Sequence, residues 1–199
     1  VKVDLIVPTV AGREESLERC LASFPGFNPI VLRGFQTCGN AWQNGLRRSD
    51  ADYVLLCADD IQCVAEDGWV QACVEMIDQG KIPAPIVYRP SGAIESAGGD
   101  MNASGCLIDT IQPDQTPVDF TVMPFVSREQ IERIGMIPSH MMCDVWVSHR
   151  GRQLGYETYL CHAYELKHYR EMTGRKPGTD PLDRQIFDHE MQKATKCES

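Results

Sequence analysis

The sequence predicts an α/β fold: a mostly parallel, twisted sheet flanked by helices, followed by a half of mixed texture. Three observations carry this. Apolar strand-like runs alternate with helical patterns as β-α-β-α-β-α over the first eighty positions, which favours right-handed crossovers. The run Tyr53 to Ile61, Y-V-L-L-C-A-D-D-I, is apolar and then ends abruptly in two carboxylates. After Gly80 the helical period gives way to short strands and stretches rich in Gly, Ser and Asn.

Val3 to Val7 reads as a buried strand stopped by Pro8, and Glu14 to Phe24 as a helix with Leu17, Cys20, Leu21 and Phe24 at helical spacing. Pro29 to Leu32 is a short strand. Asn40 to Arg48 follows as a helix with Ala41, Trp42, Gly45 and Leu46 inward. Tyr53 to Cys57 is a strand, and Gly68 to Asp78 a helix burying Trp69, Val70, Cys73, Val74 and Ile77. Together these make a Rossmann-like N-terminal half. Ile86 to Tyr88 is a short strand, Ser91 to Ile111 reads as hairpins and mobile loops, and Thr121 to Phe125 is another strand. Ser127 and Gln130 form a capping box on a helix stopped by Gly135. A helix starts near Asp144 and ends at Gly155; Tyr156 to Leu160 and Tyr164 to Tyr169 are extended. The organisation is one domain over 1–170 and a tail over 171–199, in which Asp180-Pro181 starts a terminal helix.

The 199 residues suit one domain with a full core, and the charged and apolar fractions are those of a soluble globular protein. No apolar run approaches the ~20 residues that span a bilayer, and Val1 to Val10 reads as a strand rather than a signal peptide. A net charge of −9 disfavours nonspecific binding to nucleic acid, without excluding a local basic site. Nine cysteines without a C-x-x-C pair suit a reducing cytoplasm, with Cys20 and Cys73 as small core residues. The expected location is cytoplasmic.

Asp59 and Asp60 fall at the C-terminal mouth of a strand, where open α/β sheets bind ligands. Two adjacent charges there are costly to desolvate unless a cation or hydrogen bonds answer them. A divalent metal carrying a phosphorylated ligand answers them; an Asp-rich turn is the plainer alternative.

The order and spacing of four segments resemble the family-2 glycosyltransferases of the GT-A fold, in particular the rhamnosyltransferase-like branch. Asp4 to Arg13, D-L-I-V-P-T-V-A-G-R, resembles the first strand and nucleotide-binding turn of that family. Gly45 to Ile61 resembles the approach to its D-x-D motif, and Val118 to Gly135 the strand and helix before its acceptor site. Cys143 to Tyr156, C-D-V-W-V-S-H-R-G-R-Q-L-G-Y, resembles its E-D-x-D-x-x-x-R-x-x-x-x-G-Y. The spacing from Gly155 to His168 matches its final strand, which ends at a histidine. The chain departs from the pattern at Ala58, which replaces the first acid of D-x-D. It departs again at Arg33 to Asn40, which lacks the base-reading Asp, at Trp42-Gln43, and at Cys143 and Trp146.

The resemblance implies an inverting, metal-dependent transfer of a sugar from a nucleoside-diphosphate sugar to an acceptor hydroxyl. It assigns Asp60 and His168 to a Mn²⁺ or Mg²⁺ ion and Asp59 to the metal shell or the ribose. Pro8 and Thr9 fall to the nucleotide. Arg13 is placed to reach a phosphate or the base, with a solvated charge in the first turn of a helix as the equal alternative. Arg170, Arg175 and Lys176 lie just after His168, where they could close over the diphosphate; a solvated charge run is the plainer alternative. Asp144 is the implied catalytic base. A helix start would lower its pKa, so the apolar neighbours Met141, Met142 and Trp146 must compensate; a plain N-cap is the alternative role. One carboxylate beside the acceptor favours inversion by a single displacement. Lack of a membrane segment favours a soluble acceptor such as a protein, glycan or nucleotide. Two competing readings are a degenerate, non-catalytic nucleotide-sugar binder and a sugar-phosphate nucleotidyltransferase. The second wants a Gly-rich loop where this chain has P-T-V-A-G-R-E-E-S.

Overall fold

A computed structural model describes residues 1–101, 107–109, 117–137 and 143–170. The first strand, β1 (Val3–Thr9), leads to α1 (Glu14–Ala22), β2 (Asn28–Arg33), α2 (Cys38–Arg48) and β3 (Tyr53–Leu56). β4 (Ile61–Cys63), α3 (Trp69–Asp78) and β5 (Lys81–Tyr88) follow. Then come β6 (Ile94–Ser96), β7 (Gly99–Met101), β8 (Leu107–Asp109), β9 (Pro117–Val118) and β10 (Phe125–Ser127). The described chain ends with α4 (Arg128–Ile134), α5 (Cys143–Gln153) and β11 (Glu157–His168).

Two sheets share the work. The first has the order β10-β3-β1-β2, with β1 parallel to both β2 and β3 and β10 antiparallel on the edge. The second runs β4-β11-β5-β6 and is mixed: β11 is parallel to β5 but antiparallel to β4 and to β9. β7 and β8 form a separate hairpin. The parallel first half and mixed second half match the sequence reading.

Strand alternation sends side chains to two cores. Val3, Leu5 and Val7 of β1 join Leu55, Leu17, Cys20 and Trp69 in one, while Ile6 joins Val54, Leu56, Trp42 and Val147 in the other. Trp69 is a hinge of packing: it stacks on Tyr164 of β11 at 4.8 Å and meets Phe125 of β10 edge-on at 5.8 Å. Gly45 lets α2 lie directly on β1, since a Cβ there would stand 2.3 Å from Ile6 Cγ2.

Several boundaries differ from expectation, each for a physical reason. β1 runs through Pro8 to Thr9 because pairing with β3 ends at Ile6↔Leu56, so the missing N–H of Pro8 falls on a strand paired on one side. β5 likewise begins at Lys81 and carries Pro83 and Pro85 where only β11 flanks it. The strand expected at Thr121 to Phe125 starts only at Phe125; before it Met123 takes φ 47°, and its carbonyl accepts a hydrogen bond from the Tyr164 hydroxyl. The two extended pieces at the end are one strand, β11, with an irregularity between Leu160 and Glu165. The capping box of Ser127 and Gln130 is present. The expected terminal helix, Arg175, Lys176, Met141 and Met142 lie outside the described residues. Among the described residues no helix is long and apolar enough to cross a membrane.

Candidate functional site

The site grows from three chain ends at one edge of the seam between the sheets. β1 delivers Thr9, and the chain then turns through Gly12 (φ 86°) into Arg13, the N-cap residue immediately before α1. β3 stops at Leu56, and the chain crosses through Cys57, Ala58, Asp59 and Asp60 into β4 of the second sheet. β11 pairs with β4 so that His168 lies opposite Ile61, and the Tyr169 N–H donates to the Asp60 carbonyl at 2.9 Å. Sheet pairing thus sets His168 beside Asp60 although the sequence separates them widely.

These groups form one buried charge network. Asp59 and Asp60 are 4% and 8% exposed. The Thr9 hydroxyl donates to Asp59 Oδ2 at 2.6 Å. Arg13 Nη2 lies 2.8 Å from Asp59 Oδ1 and 3.2 Å from Asp60 Oδ2. Among the described residues neither this Nη2 nor the buried Nε has a hydrogen-bond partner of good geometry, so charge more than directed bonding holds the guanidinium. His168 Nε2 faces the same Asp60 Oδ2 at 3.5 Å, and its Nδ1 is 2.9 Å from Glu95 Oε1. Arg170, exposed and at φ 50°, donates from Nε to that Glu95 oxygen at 2.8 Å. Glu95 Oε2 is buried and has no hydrogen-bond partner among the described residues.

The neighbouring carboxylates respond oppositely. Burial pushes Asp59 up, outweighing Thr9 and Arg13. Burial also acts on Asp60, but the hydrogen bond and charge of His168, with Arg13, hold it below the ordinary carboxylate range. Burial opposes a charged His168, yet Asp60 and Glu95 raise it overall.

Asp144 lies on α5, one residue inside the helix rather than at its cap, and its Oδ1 accepts from the adjacent Val145 N–H at 2.8 Å. Burial pushes its carboxyl up to about 6 against that hydrogen bond. The helix-start effect expected from the sequence is therefore overridden by desolvation. Its neighbour Cys143 is buried against Cys38, which lies on the rim of a cleft beside Arg13. Among the described residues the hydrogen bonds of Asp144 lie within its own helix and none joins it to the Asp59–Asp60 network.

That cleft, about 150 Å³, is lined by Pro8, Thr9, Val10 and Arg13 on one side, Phe35, Gln36, Thr37 and Cys38 on the other, and Asp59 at its floor. A larger hollow of about 450 Å³ adjoins it across Phe35, lined by Asn40, Gln43, Asn44, Arg47, Met136 and Ile137. Among its described lining residues the larger hollow has no carboxylate or imidazole, whereas the smaller one has Asp59 and Arg13.

Structure therefore gathers Thr9, Arg13, Asp59, Asp60, His168 and Arg170, with Pro8 on the cleft wall. Sequence reasoning missed Glu95, although it is the sole acidic residue in the Gly- and Ser-rich stretch Ser91 to Gly99. No group of three or more His, Cys, Asp and Glu side chains among the described residues is arranged as a full metal cage. Asp60 and His168 still fit one ion: at 3.5 Å apart both can touch a cation about 2.1 Å from a hard oxygen. Mg²⁺ and Mn²⁺ sites commonly leave their other positions to water and substrate phosphate. His168 is also oriented as a ligand, with its far nitrogen on a carboxylate.

No protein-family model matches the chain, and no curated protein matches it by sequence. Solved structures do match. A crystal structure of GalNAc-T7 with UDP, GalNAc and Mn²⁺ aligns at a TM-score of 0.72 and 12% identity, over 93% of this chain and 47% of that one. The chain thus spans about half the length of that protein. A crystal structure of A197 from STIV aligns at a TM-score of 0.57 and 12% identity, over 90% of this chain and 100% of that one. Likeness at this identity is a likeness of fold, and the GT-A type of α/β fold is the fold of this chain.

Proposed function

We propose that this chain is an inverting, metal-dependent glycosyltransferase that moves a sugar from a nucleoside-diphosphate sugar to an acceptor hydroxyl. The observation that carries the reading is Asp60 facing His168 at 3.5 Å at the sheet mouth, beside a cleft floored by Asp59 and walled by Thr9 and Arg13. The GT-A fold supports it, and the GalNAc-T7 crystal structure contains UDP, GalNAc and Mn²⁺. The motif order supports the rhamnosyltransferase-like branch of family 2.

In this reading Asp60 and His168 hold a Mn²⁺ or Mg²⁺ ion, which supplies Lewis-acid stabilisation of the departing diphosphate. Pro8, Thr9 and Phe35 wall the nucleoside, and Asp59 accepts from a ribose hydroxyl or orders the metal shell. Arg13 and Arg170 answer the negative charge that develops on the leaving diphosphate. Asp144, raised by burial to about 6, takes the proton of the attacking hydroxyl near neutral pH. With one carboxylate assigned to the acceptor side, the sugar is displaced once and inverts.

The test is a thermal-shift screen of UDP, GDP and their sugars, with and without Mn²⁺. A ligand at a hundred times its Kd adds roughly 2.7 kcal/mol and raises Tm. Absence of any stabilising nucleotide in the presence of Mn²⁺ overturns the donor site. Stabilisation without sugar transfer to any acceptor favours the degenerate binder, a reading that Ala58 in place of the first acid supports.

A further inference from the structure

Asp60 Oδ2 is addressed twice. His168 Nε2 faces it at 3.5 Å and Arg13 Nη2 lies 3.2 Å from it, while the same Nη2 also reaches Asp59 Oδ1 at 2.8 Å. A guanidinium in that position already does part of what a divalent ion would do: it neutralises two adjacent carboxylates that are almost wholly buried. An ion entering between Asp60 and His168 meets a resident cation, and two cations crowded onto one carboxylate oxygen repel.

Building on the donor-site reading above, we propose that Arg13 is an exchangeable internal counter-ion. It occupies the carboxylate pair in the free protein and is released when the metal binds. The freed guanidinium then serves the diphosphate that arrives with the metal. Three features of the site support exchange over a permanent structural pair. Among the described residues neither Nη2 nor the buried Nε of Arg13 has a hydrogen-bond partner of good geometry, so the side chain has donors to spare. It lines the cleft that Asp59 floors, so an anion there lies within its reach. Its backbone stands at the N-cap of α1 directly after the Gly12 turn, which leaves the long side chain to reorient without moving a strand.

The consequence is a coupling between two ligands. Metal alone must displace Arg13, whereas metal with a nucleoside diphosphate gives Arg13 a new anionic partner. Each ligand therefore tightens the other by the same factor. Removing Arg13 reverses the pattern. Arg13→Gln leaves Asp59 without a counter-ion and Asp60 with His168 alone, so Mn²⁺ alone should bind about tenfold tighter than to the native protein. Mn²⁺-dependent UDP or GDP affinity should fall at least about tenfold, because the guanidinium no longer meets the diphosphate.

Mn²⁺ binding is read by the loss of free-ion electron paramagnetic resonance signal, with nucleotide affinity from calorimetry and folding from circular dichroism. If these under-compensated carboxylates prevent Arg13→Gln from folding in metal-free buffer, Arg13→Gln with Asp59→Asn removes one of them and keeps Asp60 and His168. Tighter Mn²⁺ binding by a folded variant together with weaker nucleotide binding supports the exchange. Equal or weaker Mn²⁺ binding by both variants overturns it, and leaves Arg13 as a fixed structural pair. A native protein that binds neither nucleotide nor Mn²⁺ together overturns the donor-site reading itself, and that outcome is visible before any variant is made.

Discussion

At the scale of single residues, the site is governed by which carboxylates are answered and which are merely buried. Asp144 has no ion-pair partner among the described residues and is raised to about 6 by desolvation. A carboxyl raised in the folded state binds more protons there than when unfolded, so stability falls as pH climbs from about 4 to 6. Asp144→Asn removes that penalty. The variant should melt at least as high as the native protein at pH 8, with the gain vanishing near pH 4, while transfer drops ~10²–10⁴-fold. A lower Tm at pH 8 instead, with transfer intact, would assign the residue a structural part. His168 and Asp60 shift the other way. His168 is raised, so its contribution is present below its unfolded value and is lost as pH rises through the folded one. Asp60 is lowered, so its contribution is present above its unfolded value and lost as pH falls through the folded one. Glu95 holds His168 Nδ1 and so aims Nε2 at Asp60. Glu95→Ala should weaken Mn²⁺ affinity in the presence of nucleoside diphosphate by roughly 10- to 100-fold, the usual effect of losing a carboxylate behind a histidine ligand. Unchanged affinity in the electron paramagnetic resonance titration would make Glu95 a partner of Arg170 only.

At the scale of elements, legibility followed period and ran out where pairing decides. The helices were readable because their apolar spacing is unambiguous: Ala41, Trp42, Gly45 and Leu46 of α2 are all buried, as are Trp69, Cys73, Val74 and Ile77 of α3. Asp59 and Asp60 were readable because an apolar strand ending in two charges has few physical solutions. Strand limits were not, because Pro8, Pro83 and Pro85 look like breakers until the sheet order reveals which side of each strand is free. Nor was Glu95, whose meaning arises from the pairing order β4-β11-β5-β6, which brings Asp60, His168 and Glu95 to one end of the strands. The role of Arg13 was half legible. Its place after the first strand pointed to the nucleotide, but only folding shows that its guanidinium lies against the two carboxylates.

At the scale of the whole molecule, the site bridges two sheets and needs both. β1 and β3 of the first sheet supply Thr9 and lead into Asp59 and Asp60, while β4, β11 and β6 of the second position His168 and Glu95. What locks the sheets together away from the site is the aromatic cluster around Trp69. The indole touches Phe24 and Phe27 beyond α1's end, Phe125 on the first sheet and Tyr164 on the second. Trp69 is only 8% exposed, and truncating a buried Trp to Ala typically costs 3–5 kcal/mol, a large share of a marginal total. Trp69→Leu, which keeps apolar bulk, is the milder probe. It should lower Tm and, because the seam is shared, reduce hydrogen-exchange protection together at Val54 in β3 and Leu166 in β11. It should also weaken Mn²⁺ binding, since Asp60 and His168 are held to each other through β4 and β11. Loss of protection in one sheet alone, with Mn²⁺ binding unchanged, would mean that the sheets open independently and that the metal pair is fixed by local strand pairing rather than by the core.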